Sequence, residues 1–131
     1  MKNLFQTGDV RIFKKIVNAA DQAIFNDELL HPVYSTFALA RDFEWSSRLF
    51  FLELKEADEE GVGTFLHLDH KSPAFVGEEV VFQAIVESID GPNMICHIEA
   101  TVGDRLIAVG KTGQKMLKKD RLKEIFKKLE T

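Results

Sequence analysis

Glu44 stands in the stretch VYSTFALARDFEW, residues 33–45, which otherwise reads as an apolar helix entering a core. A carboxylate at the edge of such a stripe, half-sunk among Phe37, Phe43 and Phe51, is of the kind that serves as a general base or nucleophile. Its plain alternative is a helix-edge charge paired with Arg48 at i+4 or Arg41 at i−3. His70 ends a run in which Leu66 and Leu68 share one face of a strand, so its imidazole is expected to point inward. It reads either as an acid–base group or as a buried histidine bonded to a neighbour. His67 points the other way by strand parity, which excludes a simple two-histidine metal site from the H-L-D-H run. Thr36 adds a hydroxyl, and its plain reading is the N-cap where the chain enters the helix.

The elements that must position these groups follow from periodicity. Val10–Val17 suits a strand, residues 19–25 a short helical turn, and residues 26–32 a loop. The helix is expected over about residues 36–57. At ~100° per residue, Leu39, Ala40, Phe43, Ser47, Phe50, Phe51 and Leu54 share one arc, with Asp42, Trp45 and Glu53 on other sides. After residue 57 the period drops to two. Val62–Ser72 is a strand, Val80, Phe82, Ala84 and Val86 mark a second, and Met94, Cys96, Ile98, Ala100 and Val102 a third. Residues 91–93 and 103–104 read as hairpin turns. Arg105–Leu117 is the fourth strand of an expected meander. Residues 120–129 form a closing helix with Asp120 as its N-cap. An apolar sheet face needs a cover, and the long helix alone can supply it. The fold class is therefore α+β, a hot-dog arrangement in one domain over residues 1–131.

Composition narrows the function. With 131 residues, 45% hydrophobic and 29% charged, the chain can bury a core and lacks the signature of disorder. No apolar run approaches the length of a membrane span, no secretory leader is apparent, and the lone Cys96 has no internal disulfide partner. A cytoplasmic setting follows as the expectation. The net charge is −4, yet residues 110–131 carry +5, leaving −9 on the rest. That basic end reads as a solvated amphipathic helix or as a site for anionic ligands such as nucleotide phosphates. Nucleic acid is disfavoured in an acidic chain without zinc-finger or RNP-like motifs.

Taken together, V-Y-S-T, then seven residues to Glu44 and Trp45, then E-G-V-G-T-x-L-x-L-D-H resemble the fluoroacetyl-CoA thioesterase family of hot-dog proteins. The resemblance covers about residues 8–118. It implies a catalytic set of Thr36, Glu44 and His70, and a backbone at Gly63 that lies beside the thioester. Gly77 and Val109-Gly110 match further family positions. The family's last strand often carries a G-T-H-x-R run; this chain reads Gly113, Gln114, Lys115, Met116 there. Leu29, Leu30 and His31 stand where the fluoroacetate enzyme has an aromatic gate.

What the resemblance implies is hydrolysis of a short acyl-CoA to free acid and CoA. Glu44 would attack or activate water, His70 would polarise the system or shuttle a proton, and Thr36 would hydrogen-bond the carboxylate or carbonyl. Phe37 and Leu30 would flank the acyl group. Lys71 and Lys111 would meet the coenzyme's phosphates, with Lys115, Lys118 and Lys119 as further candidates. No metal or cofactor is expected beyond the CoA of the substrate, and no membrane partner. On a continuous helix ~12 Å of rise separates Thr36 from Glu44, so a homodimer with the pocket between subunits is expected. The rival readings are a hot-dog acyl-CoA hydratase or dehydratase, and a non-catalytic acyl-CoA-binding module.

Overall fold

The computed structural model describes residues 1–130. In chain order the elements are β1 (Val10–Ile16), a 3₁₀ turn (Ala19–Asp21), β2 (Gln22–Phe25), β3 (Glu28–Tyr34), α1 (Thr36–Leu54), β4 (Glu59–His70), β5 (Glu79–Asp90), β6 (Asn93–Val102), β7 (Arg105–Lys118) and α2 (Lys119–Leu129). Five strands form one antiparallel sheet in the order β1-β5-β6-β7-β4, and β2 and β3 pair separately. The inward residues of the alternating pattern are buried as expected: Val80, Phe82, Ala84 and Val86 on β5, and Met94, Cys96, Ile98 and Ala100 on β6. Leu39, Phe43, Phe50, Phe51 and Leu54 of α1 are buried in the same core, with Phe43 edge-on to Phe82 at 5.9 Å. Each such side chain contributes about 1.5–3 kcal/mol relative to exposure. The sheet thus wraps one long helix, the hot-dog arrangement.

Several local expectations are corrected. Only residues 19–21 are helical in the first connection; the expected loop at 26–32 is instead part of a β2–β3 hairpin. Its turn residues Asn26 and Asp27 both have positive φ, 51° and 63°, which a two-residue primed turn requires and which Asn and Asp tolerate. The helix stops at Leu54, three residues early, since Leu54 is its last buried apolar side chain and Glu-Ala-Asp beyond it offers none. Lys118, not Asp120, occupies the N-cap of α2, without a side-chain cap bond; Asp120 falls in the first turn.

The expected four-strand meander is really three. Tight turns at residues 91–92 and 103–104 hold β5, β6 and β7 together, with Gly91 and Gly103 at φ +58° and +55°. The longer connection over residues 71–78 lets β4 cross to the far edge and pair with β7. Consequently β4, twelve residues long, has one edge without a partner strand among the described residues, and Phe65 and Leu66 are exposed near its centre. No helix among the described residues is long and apolar enough to cross a membrane.

A buried ionic cluster fixes the start of α1. Asp42, expected off the apolar arc, is buried: the Tyr34 hydroxyl donates to it, and Arg41 contacts it at 3.0 Å. Arg41 and Lys15 also meet the buried Asp21, at 3.0 and 3.1 Å. Two cations against two carboxylates compensate charges that would otherwise be costly to bury.

Candidate active site

Ser35 takes the N-cap role that is the plain alternative for Thr36, its hydroxyl accepting the Ala38 N–H at 3.0 Å. The helix therefore makes no use of the Thr36 hydroxyl. That hydroxyl is hydrogen-bonded to His70 Nδ1, 2.9 Å away, at the C-terminal end of β4. The inward direction expected of His70 is what brings it there. His70 Nε2 is sealed from solvent and has no hydrogen-bond partner among the described residues. A neutral imidazole carries one N–H. With Thr36 donating to Nδ1, the proton sits on the unpartnered Nε2; with the other tautomer Nε2 is a bare acceptor. Either form leaves Nε2 without a partner inside the chain.

Burial holds the His70 pKa below its usual value, with a hydrogen bond involving the Ser72 backbone partly opposing the shift. The folded protein therefore binds this proton less readily than the unfolded chain, whose histidine titrates near ~6.5. Stability should then fall as pH drops below about 6.5 and level off beneath the depressed folded value. A His70→Gln variant should lack that component. Melting temperatures of both proteins from pH 8 to pH 5 measure it, and parallel curves would refute it.

Glu44 lies farther back along β4, against Gly63. A Cβ placed on Gly63 would collide with its Oε1, so the absence of a side chain there is what admits the carboxylate to the strand. Neither arginine that the alternative reading would pair with it does so. Arg48 pairs with Glu60 at 2.7 Å, and Arg41 is held by Asp21 and Asp42. The Glu44 carboxylate makes no ion pair or hydrogen bond among the described residues. Nor is it half-sunk among phenylalanines: Phe43 is turned into the core, Phe51 lies against Gly61, and Glu44 itself is exposed in the single chain. It borders a cavity of about 230 Å³ with Trp45, Arg48, Gly63 and Gln114. Gln114 faces Gly63 across the β4–β7 ladder, and its contribution was not singled out from sequence. The parity it shares with the buried Thr112 and Met116 was the available signal.

The remaining candidates are scattered. Phe37, 78% exposed, lines a separate cavity of about 340 Å³ between the β2–β3 hairpin and the start of α1. Leu30 is exposed on β3. Lys71 is exposed immediately after His70. Lys111 lies on the outer face of the sheet in register with His67 and His97, and pairs with Glu87 at 2.7 Å. One chain thus brings together Thr36 with His70, and Glu44 with Gly63, as two clusters rather than one. Burial pushes the Cys96 thiol up to about 12, which leaves no thiolate nucleophile at neutral pH.

The profile of the family described as FlK, fluoroacetyl-CoA-specific thioesterase, matches residues 17–120. The chain belongs to that family. Among solved structures, a hypothetical protein of Thermus thermophilus described as a thioesterase superfamily member is 28% identical, with a TM-score of 0.89 over 95% of this chain and 93% of that one. A single-residue variant of the fluoroacetyl-CoA-specific thioesterase FlK superposes with a TM-score of 0.88 at 16% identity, covering 97% and 98%. A hot-dog-like protein from Thermanaerovibrio acidaminovorans gives 0.86 at 19% identity, covering 95% and 92%. The last two likenesses speak to the fold. No curated protein matches the chain.

Proposed function

We propose that this protein hydrolyses a short acyl-CoA thioester, as a homodimer whose active site is shared between two copies. The observation that carries the reading is the placement of the two clusters along one edge strand whose outer edge has no partner strand among the described residues. A two-fold axis crossing β4 midway between Gly63 and His70 would set the Thr36–His70 pair of one copy against the Glu44–Gly63 cluster of the other. Long exposed edge strands invite this kind of pairing, and Phe65 and Leu66 would be covered by it.

Within such a site Glu44 supplies an electron pair at the thioester carbonyl, directly or through water. A backbone N–H beside Gly63 steadies the developing oxyanion. The unpartnered His70 Nε2, oriented by Thr36, assists the proton transfer that frees the CoA thiol. The 230 Å³ cavity beside Glu44 suits an acyl group of a few heavy atoms. Of the two lysines expected at the phosphates, Lys71 is the one adjacent to this machinery. Lys111 faces away from Glu44 and is already paired with Glu87. Release of free thiol from a panel of short acyl-CoAs by the wild-type protein is the expected result. A change in unsaturation with the thioester intact would point to hydratase chemistry instead, and no reaction with any of them would refute the proposal.

A further inference from the structure

Two buried side-chain atoms lack a hydrogen-bond partner among the described residues: His70 Nε2 and Gln114 Nε2. The first belongs to the machinery already described. The second sits on a residue only 4% exposed, on β7, bordering the Glu44 cavity. Buried amide nitrogens are nearly always paired, so an unpaired one in a cavity wall marks a place made for something else. Glu44, in the same cavity, is an acceptor without a donor. The nitrogen itself is shielded, but the terminal torsion of glutamine is broad and two-fold, so a half-turn exchanges it with the amide oxygen and either group can be offered to the cavity. Gly63 and Gln114 are register partners, and side chains at such positions stand ~4.5–5.5 Å apart. The Glu44 carboxylate occupies the space where a Gly63 side chain would be. Gln114 and Glu44 thus border one cavity of about 230 Å³, which has room for a water between them.

We infer that Gln114 is a catalytic residue that, together with Glu44, holds the hydrolytic water. This rests on the thioesterase reading and decides how Glu44 acts within it. The water accepts a hydrogen bond from the Gln114 amide and donates one to the Glu44 carboxylate, which leaves an oxygen lone pair for the thioester carbon. Glu44 takes the water's proton as the C–O bond forms. The C–S bond then breaks, and the proton passes to the departing CoA sulfur. Water and thioester go in, acid and thiol come out, and no covalent bond to Glu44 is made. A carboxylate acting alone as nucleophile would have no need of a neutral donor beside it.

Gln114→Met keeps the side chain's length and removes its N–H. Thiol release by this variant should show kcat lowered about 10- to 100-fold, KM within about twofold, and a melting temperature unchanged or raised. Removing a glutamine that served only the fold would lower the melting temperature and spare turnover. Gln114→Glu places a second carboxylate beside Glu44 and should move the acid limb of the kcat/KM profile to higher pH. Wild-type turnover with unchanged kcat in Gln114→Met, or an unmoved profile in Gln114→Glu, overturns the assignment and leaves the thioesterase reading standing. If Gln114→Met does not fold, the Gln114→Glu profile decides alone. Absence of thiol release by the wild type removes both.

Discussion

Glu44→Gln should lower kcat for thiol release by about 10²- to 10⁴-fold, which is ~3–5 kcal/mol of transition-state stabilisation. Glutamine has nearly the shape of glutamate, so it keeps the fit against Gly63 while removing the basic oxygen. The structure makes this an unusually clean substitution. Glu44 has no ion pair to lose, because Arg48 is engaged by Glu60 and Arg41 by Asp21 and Asp42. The melting temperature should therefore hold within about 3 °C, since surface changes of this kind sit within ~0.5 kcal/mol. Activity collapses while the fold does not. Initial rates and thermal unfolding on the same preparation measure both. A kcat within twofold of wild type would put Glu44 outside the chemistry and favour a binding module.

The second large effect concerns the shared site. Glu44→Gln and His70→Asn should each be nearly inactive as separate homodimers. Mixed by co-expression under two affinity tags, they form heterodimers in which one site combines the intact His70 of one chain with the intact Glu44 of the other. The remaining site carries both lesions. Random pairing makes half the dimers mixed, with half their sites intact, so about a quarter of wild-type activity should return. Were Thr36, Glu44 and His70 to act within one chain, every site would keep a lesion and the mixture would stay at background. The ~12 Å of helix between Thr36 and Glu44 is what makes recovery the expected result. Sedimentation of the wild type as a monomer at assay concentration would defeat the arrangement independently.

Much of this architecture is readable from the order of residue types. Alternation along β5 and β6 names the buried residues because strand geometry sends successive side chains to opposite faces. The apolar arc of α1 names the helix face that meets them, and the parity His70 shares with Leu68 sends the imidazole inward, although Leu66 of the same series stays exposed. These are local rules, and local patterns carry them. The hairpin at Asn26–Asp27 was missed although it too is local, because its strands are short and mostly exposed, and so lack the apolar alternation that betrays a strand.

Chain order could not say which strand lies beside which. That β4 crosses to pair with β7 depends on the free energy of closing the whole sheet around α1, a sum over contacts far apart in sequence. The same holds for charge pairing. Arg41 and Arg48 sit at helical spacing from Glu44, yet both are claimed by carboxylates from other elements, which offer partly buried and therefore stronger partners. Periodicity points to a hot-dog scaffold, and the resemblance to the thioesterase family singles out a hydroxyl, a carboxylate and an imidazole within it. Tertiary structure alone decided that Thr36 meets His70, that Glu44 stays unpaired against Gly63, and that Gln114 faces it, because each depends on register between strands that the chain brings together only on folding.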